Sequence, residues 1–342
     1  MMKIRGVSTS RLLSSTSVAT DELVRCLTSN GSISVKVLVA TSLIQKAAKQ
    51  HGCSAVATIA LGRALMGAVL MTAGKDEGET LQLQIIAGGP LGLIMTEAVT
   101  AKEVQQITCR GFVLNPSAIV PNLPDGSLDV AAAVGGPQGV LRVKRSHPLW
   151  KEPHFSTTSL ESGLIAEDIA RFMLQSDQIP TAVGLGVLVS ECPSDNGPIS
   201  VTAAAGFLVS ALPGVSEEEL TLLERNVLNL PQPTDLLNLG MDASDIAKSL
   251  LAGLEPSNAT IRSDPRSRSS REPNNFLHGD DGDMGVAGLP PTPLMLEKEY
   301  VSLSCSCSSS TALYSLDTAY PGRIQTERVP VTCEWCGTVR LA

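Results

Sequence analysis

The sequence predicts an α+β protein with a core domain of mixed β-sheet and packed helices, a helical linker and a small C-terminal zinc-binding domain. Three observations lead to this prediction. Residues 21–214 switch between apolar patterns of helical period and of period two, and residues 215–255 carry short amphipathic helices. Four of the eight cysteines stand in two tight pairs within residues 294–342. At 342 residues the chain is long enough for a large core and a second small module.

Composition narrows the class of protein further. Hydrophobic residues make up 43% of the chain and aromatic residues only 3%, so we expect a globular protein with an aliphatic core. The net charge of −8 argues against nucleic acid as a general partner, because contacts to phosphate supply most of that affinity. Polar residues interrupt every long apolar run, and we therefore expect no membrane-spanning helix.

Residues 1–20 differ from the rest of the chain. They carry Lys3, Arg5 and Arg11, are rich in serine and threonine, and have no acidic residue before Asp21. This composition predicts an organellar transit peptide, which would place the protein in a chloroplast or mitochondrion. The alternative is an ordinary disordered N-terminus on a cytoplasmic protein.

The core domain begins with a short strand at 35–39, followed by helices at about 40–50 and 54–73. Gly52 separates the two helices, and Ser54 is positioned to cap the second. The second helix is apolar nearly all round, which predicts that it is buried in the core.

From Thr80 the pattern has a period of two, which predicts a strand at 81–85 with one solvated face. A helix is predicted at about 162–176, before Pro180. None of the glycine-rich loops has a full phosphate-binding pattern, so we expect no nucleotide cofactor. Further strands are predicted at 93–95, 111–113, 128–130, 139–143, 183–189 and 202–209.

Residues 215–255 predict two short helices. Ser216 and Glu219 occupy the reciprocal positions of a capping box. An apolar stripe follows at helical spacing, and a second helix is predicted at about 243–252 behind an Asp242/Ser244 cap signal. Short isolated helices are marginal in water, so these need another surface to cover them. The stripe consists of Leu220, Leu223, Val227 and Leu230.

Residues 256–293 are predicted to be a disordered insertion. The basic serine-rich run 262–271 and the acidic run 278–283 contain too little apolar surface to offset chain entropy. A solvated linker is the simplest interpretation, and a phosphorylated or nucleic-acid-binding arm is the alternative.

The C-terminal cysteines form a CxC pair, Cys305 and Cys307, and a CxxC pair, Cys333 and Cys336. Two close thiol pairs joined by the connector 308–332 are typical of a four-thiolate zinc site. Structural disulfides are the alternative, but no secretory signal indicates an oxidising compartment. The remaining cysteines are isolated and are predicted to be unreactive packing or surface thiols: Cys26, Cys53, Cys109 and Cys192.

No group of residues predicts general acid–base catalysis. His51 and His154 are isolated, and the adjacent Glu167 and Asp168 cannot share one helix face, so both are interpreted as solvated or N-terminal helix charges. We therefore expect a protein that is not an enzyme. Two alternatives remain: a dithiol oxidoreductase that uses the CxxC pair, and a zinc-stabilised scaffold without a redox role.

The chain resembles the redox-regulated holdase chaperones of the 33-kilodalton heat-shock protein family, from about residue 21 to 254 and again from about 294 to 339. The CxC and CxxC pairs carry part of this resemblance. The other matching segments are VATSL at 39–43, LGRAL at 61–65, GGPLG at 88–92, GLIAED at 163–168, SDQIP at 176–180, GFLV at 206–209 and LPG at 212–214.

The resemblance implies a redox switch. In the reduced state the four cysteines would hold one Zn²⁺ and the linker helices would lie on the core. Hypochlorite, or peroxide with heat, would pair Cys305 with Cys307 and Cys333 with Cys336, and the small domain would release its zinc and unfold. The exposed apolar surface would then bind unfolding client proteins without ATP, in a homodimer.

The sequence also departs from the family in ways that bear on the switch. The insertion at 256–293 is longer than the usual linker, and the connector 308–332 lacks the family's charged helix. The sequence also ends six residues past Cys336, where the family usually adds an aromatic strand. We expect zinc ligation to survive these changes, and the stability of the zinc domain and its threshold for unfolding to shift.

Overall fold

The computed structural model describes the backbone of residues 21–100, 106–190, 199–254, 295–303, 330–332 and 339–341. Side chains are described in the first three ranges, from residue 107 in the second. The predictions for residues 1–20, for the insertion 256–293 and for the four C-terminal cysteines therefore lie outside the described residues.

The core is one sheet of ten strands made from two antiparallel parts. The strand order is β7-β6-β3-β4-β5-β10-β1-β2-β9-β8. Among the described pairings, only that between β5 and β10 is parallel. The strands are β1 (Glu22–Leu27), β2 (Ile33–Val39), β3 (Thr80–Ile86), β4 (Leu93–Thr100), β5 (Gln106–Val113), β6 (Val140–Ser146), β7 (His154–Ser159), β8 (Thr181–Ser190), β9 (Ser200–Ala211) and β10 (Met295–Leu303). A separate hairpin pairs β11 (Pro330–Thr332) with β12 (Val339–Leu341).

Seven helices surround the sheet in the described part of the chain. They are α1 (Thr41–His51), α2 (Ala55–Thr72), α3 (Val130–Val134), α4 (Ile165–Gln175), α5 (Glu217–Asn229), α6 (Pro233–Asn238) and α7 (Ala243–Leu250), with a 3₁₀ turn at Gly136–Gln138. The helices α1, α2 and α4 pack on one face of the sheet, and α6 and α7 pack on the other face of β1, β2, β8 and β9.

Helix α2 forms the centre of the larger core, as its apolar sequence predicts. Ser54 caps it by accepting a hydrogen bond from the N–H of Ala57 at 3.3 Å. The helix is long and apolar enough to cross a membrane by length and composition, but 94% of that window is buried inside the protein. Helix α4 packs closely against it at Gly67, where the side chain of Ile169 occupies the space that a Cβ would need.

Most predicted elements are confirmed, and one is wrong. Residues 128–130 do not form a strand, because Asp129 accepts a hydrogen bond from the N–H of Ala132 at 2.8 Å and begins α3 instead. The sequence patterns do not predict β1, β7, β10 or the short α6. The predicted linker helices are present as α5 and α7, although α7 ends at Leu250 and uses Asp242 rather than Ser244 as its cap.

Candidate functional site

The predicted cysteine site lies outside the described residues, but the strands next to it are described. Strand β10 ends at Leu303, with one residue before Cys305. Thr332 of β11 pairs with Val339 of β12, so these two paired strands flank Cys333 and Cys336 in the sequence.

The described side chains offer no competing metal site. Within residues 21–100, 107–190 and 199–254 no group of three or more histidine, cysteine, aspartate or glutamate residues could hold a metal ion.

Three other cysteines are buried free thiols, in agreement with the sequence prediction. Cys26, Cys53 and Cys109 lie in the protein interior. Burial raises the pKa of each thiol to about 12, so the reactive thiolate is almost absent near neutral pH. Cys192 lies outside the described residues.

Helices α5, α6 and α7 cover an apolar face of the sheet that lies opposite α2. We call this the covered face. Helix α7 packs against β1 and β2, and α6 packs against β8 and β9. The sheet contributes Val24, Cys26, Ile33, Val35, Val37, Val39, Phe207 and Val209, and the helices contribute Leu223, Leu236, Ala243, Ile246, Ala247, Leu250 and Leu251.

If the helices left the covered face, a large apolar surface would be exposed to solvent. Full burial of one valine, leucine, isoleucine or phenylalanine side chain stabilises a fold by about 1.5–3 kcal/mol. Val24, Val35 and Val37 are completely buried while α7 is in place. Contiguous apolar surface of this kind is characteristic of protein-binding sites when solvent reaches it.

Hydrogen bonds near both ends of α5 attach it to the rest of the molecule. At its N-terminus, Ser216 and Glu219 form the predicted capping box, and Asn30 donates a hydrogen bond to Oε1 of Glu219 at 2.7 Å. Near its C-terminus, Asn226 donates to the carbonyl oxygens of Leu250 and Ala252 at 3.0 and 2.8 Å. These contacts connect α5 both to the β1–β2 turn and to the end of α7.

The stripe predicted on α5 is only partly buried. Leu223 is in the interior, whereas Val227 and Leu230 are partly buried against the covered face. Helix α5 therefore depends on a small apolar contact and on its caps, whereas α7 buries most of its apolar side chains. This difference makes α5 the less firmly held of the two helices.

The titratable residues that the sequence singles out, His51, His154 and Asp168, lie on three different elements of the core, α1, β7 and α4. Burial lowers the pKa of the isolated His51, and His154 stacks edge-on against Trp150. Asp168 is buried rather than solvated, because its carboxylate accepts the backbone N–H of Glu161 at 2.9 Å at the first turn of α4. Its burial raises its pKa, and the role of this residue is to hold a loop.

Comparisons with known proteins agree with this architecture. Residues 21–272 match the family model described as Hsp33 protein. The chain is 39% identical to the 33 kDa chaperonin of Desulforamulus reducens over 235 residues, which covers 69% of this chain and 75% of that protein. It is 30% identical to the 33 kDa chaperonin of Lactobacillus delbrueckii over 323 residues, which covers 93% of this chain and 92% of that protein.

A solved structure is similar as well. The crystal structure of the 33 kDa chaperonin of Thermotoga maritima, described as a heat shock protein 33 homologue, superposes with a TM-score of 0.70. The two sequences are 26% identical, and the match covers 94% of each chain. The similarity thus extends over nearly the whole length of both proteins.

Proposed function

Because the chain belongs to the Hsp33 family, and is therefore a chaperone rather than an enzyme, we propose that it is an ATP-independent holdase that oxidation switches on. In the reduced state the linker helices α5–α7 keep the covered face away from solvent. In the oxidised state they leave it, and the face binds unfolding client proteins and prevents their aggregation. The observation that carries this proposal is a continuous apolar face of the core sheet covered by short helices.

The four C-terminal cysteines are the proposed sensor. In the reduced state Cys305, Cys307, Cys333 and Cys336 hold one zinc ion, which supplies most of the folding free energy of such a small module. The family resemblance supports this assignment, and so does the pairing of β11 with β12, the two strands that flank the CxxC pair in the sequence.

Oxidation would convert each pair to a disulfide. Two thiolates lose two electrons and form one S–S bond, while a hypochlorite ion accepts the electrons and two protons and yields chloride and water. A disulfide sulfur is no longer a charged ligand, so the small module loses its metal and its stability. The linker helices then lose their support, since short helices are marginal without tertiary packing.

The partners and the location of this protein are also proposed. The clients are unfolded or partly unfolded proteins, the active form is a homodimer, and neither nucleic acid nor a membrane is a partner. The proposed location is the chloroplast or mitochondrion, on the composition of residues 1–20, with the cytoplasm as the alternative.

The test compares the reduced protein with the hypochlorite-treated protein. Zinc content, free thiols and suppression of the aggregation of a thermally unfolded client would be measured on the same samples without ATP. We expect oxidation to remove one zinc ion and four thiols and to raise the holding activity. The control is Cys192→Ser, which removes a thiol that has no part in the proposed site and should behave like the parent protein.

Two outcomes would contradict the proposal. If zinc is retained after four thiols have been lost, the cysteines are not its ligands. If zinc leaves but client aggregation is unchanged, the C-terminal module does not control the covered face.

A further inference from the structure

Strand β10 occupies an unusual place in the sheet. It lies between β1 and β5, in the interior of the sheet, although the 40 residues 255–294 separate it from the end of the linker. Its first half, Met295–Glu299, pairs antiparallel with β1. Its second half, Tyr300–Leu303, pairs parallel with β5. Among the described strands, β10 thus connects two parts of the sheet that are otherwise separate.

Removal of β10 would leave two unpaired strand edges, one on β1 where residues 295–299 now pair and one on β5 where residues 300–303 now pair. The two edges belong to β1 and β5, and we call the space between them the β10 slot. An unpaired edge presents a row of backbone N–H and C=O groups, which bind an incoming extended segment. A segment entering the β10 slot would find hydrogen-bonding partners on both sides.

The walls of the β10 slot are apolar. Leu23 and Val24 of β1 and Ile107 and Cys109 of β5 are almost completely buried. Leu23 faces the core around α2, whereas Val24 faces the helix α7. A segment in the slot would therefore have buried positions on both of its faces, which favours an apolar sequence.

One position in the slot selects for charge. The register places Glu297 directly opposite Arg25, and Arg25 is directly opposite Lys36 of β2. Directly paired residues lie on the same face of a sheet, where opposite charges stabilise the pair. Arg25 and Lys36 also line a cavity of about 310 Å³ together with Lys75 and Arg145. Arg145 is paired with Asp177 at 2.6 Å, so it is mainly Arg25 and its neighbour Lys36 that favour an acidic residue at the position of Glu297.

The slot is coupled to the cysteines and to the linker. Only Ser304 separates β10 from Cys305. A change in the conformation of the Cys305–Cys307 pair would therefore act on the end of this strand. Helix α7 packs on β1, the strand whose edge β10 covers. Departure of the linker and of β10 would therefore expose the face and the edge of the same strand.

We propose that the β10 slot is a client-binding site that takes an extended, mainly apolar segment of an unfolded protein with an acidic residue opposite Arg25. The inference rests on the proposed function, and it assigns a backbone-pairing site in addition to the covered face. Strand β10 is the internal occupant that closes the slot in the resting chain. The client segment runs antiparallel to β1 and parallel to β5, as β10 does.

A labelled peptide with the sequence of residues 295–303 tests this proposal by fluorescence anisotropy on the full-length protein. We expect the oxidised protein to bind it at least tenfold more tightly than the reduced protein, and the peptide to compete with clients in the holding assay. The matched control is the same peptide with alternate backbone amides N-methylated, which keeps the side chains and loses pairing. Equal binding of the control peptide would overturn the proposal.

The charged position gives a second test. Glu297→Lys in the peptide should weaken binding about two- to fivefold, and Arg25→Glu in the protein should restore it, since cross-strand charge pairs have energies of that size. Absence of this reciprocal effect would show that the peptide does not use the register of β10. If the peptide binds only when the oxidised dimer dissociates, the occupant of the slot is β10 of a second copy and not a client.

A variant that opens the slot without oxidation separates the two proposals. Glu297→Pro with Val301→Pro removes two backbone N–H groups from β10, and proline is not tolerated inside a sheet. We expect this reduced protein to bind the peptide as the oxidised parent does.

If the oxidised parent holds clients but neither protein binds the peptide, the proposal of a client site in the β10 slot is wrong and the proposed function stands. If the variant binds the peptide and oxidation gives no holding activity, the proposed function is wrong. If the variant fails to fold, titration of the labelled peptide with the oxidised parent protein tests the β10 slot instead.

Discussion

Glu219 shows how a single residue holds the linker in place. Its carboxylate accepts hydrogen bonds from the backbone N–H of Ser216 at 2.9 Å and from the side chain of Asn30 at 2.7 Å. The first contact closes the capping box of α5, and the second joins that helix to the turn between β1 and β2. Because α5 buries little apolar surface, this small polar cluster controls much of its stability.

Ser216→Ala should loosen α5. The hydroxyl oxygen of Ser216 accepts the N–H of Glu219 at 3.2 Å, and loss of such a cap costs about 1 kcal/mol, or roughly a fivefold change in the opening equilibrium. We expect faster hydrogen exchange in α5 and a lower hypochlorite dose for half-maximal holding activity. The control is Thr221→Ala on the same helix, whose hydroxyl bonds only the helix's own carbonyl at Glu217. Equal effects of both substitutions would exclude the cap as the cause.

The hold of α5 on the core should also weaken in acid. Hydrogen bonds from the backbone of Ser216 and the side chain of Asn30 lower the pKa of Glu219 below its ordinary value of 4.5. A carboxylate whose folded pKa is lowered stabilises the fold above its unfolded pKa, and this stability is lost as the pH falls through the folded value. We expect exchange protection of α5, corrected for intrinsic rates, to decline below about pH 4.5, and Glu219→Gln to flatten that decline. An unchanged pH profile in the variant would show that another carboxylate is responsible.

At the scale of elements, α7 is the helix that most firmly closes the covered face. It carries Ile246, Ala247 and Leu250 onto β1 and β2, and all three side chains are fully buried. Asn226 of α5 donates to the carbonyl oxygen of Leu250, so the two helices are connected at this point. Loss of packing under α7 should therefore release α5 as well.

Leu250→Ala should produce a chaperone that is active without oxidant. Truncation of a buried leucine costs about 2–5 kcal/mol, which exceeds what a short docked helix can lose and remain in place. We expect the reduced variant to suppress client aggregation while it retains its zinc and its four C-terminal thiols. Leu228→Ala is the matched control, because Leu228 on α5 is 83% exposed. If the Leu250 variant needs as much hypochlorite as the parent, departure of α7 does not limit activation.

At the scale of the whole molecule, the sequence predicts local features better than it predicts pairing. Helix α2 and the capping box follow from patterns within a few residues, and both are confirmed. The place of β10 between β1 and β5 depends on partners that are about 190 to 270 positions away in the chain, which no local pattern encodes. The sequence of residues 128–130 predicts a strand, but Asp129 caps α3, and this role depends on the helix that follows it.

One part of the candidate site can be predicted from local sequence and the other part cannot. The four C-terminal cysteines stand out by spacing alone, whereas the covered face does not. Strand β9 is buried on both faces over most of its length, so its sequence does not mark one side as a binding surface. Strand β2 alternates in its first half, but that alternation does not show which elements cover its apolar side. The covered face becomes visible only when the linker helices are placed on it.

The long connection between α7 and β10 gives the last prediction. If residues 255–294 act only as a passive tether, the free energy of closing this loop depends weakly on its length. Replacement of the 40 residues by a glycine–serine segment of equal length should leave exchange protection of β1 and β5 nearly unchanged. A segment of half that length should stabilise the docking of β10 by about 0.6 kcal/mol, or roughly threefold in the opening equilibrium.

The equal-length replacement is the decisive comparison for the insertion. It removes the basic run 262–271 and the acidic run 278–283 but keeps the reach of the connection. A change in β1 and β5 protection well beyond threefold would mean that these charged runs act on the switch themselves. In that case the insertion is a regulatory segment, and its phosphorylation would be the next variable to measure, because phosphate groups would cancel the positive charge of the basic run.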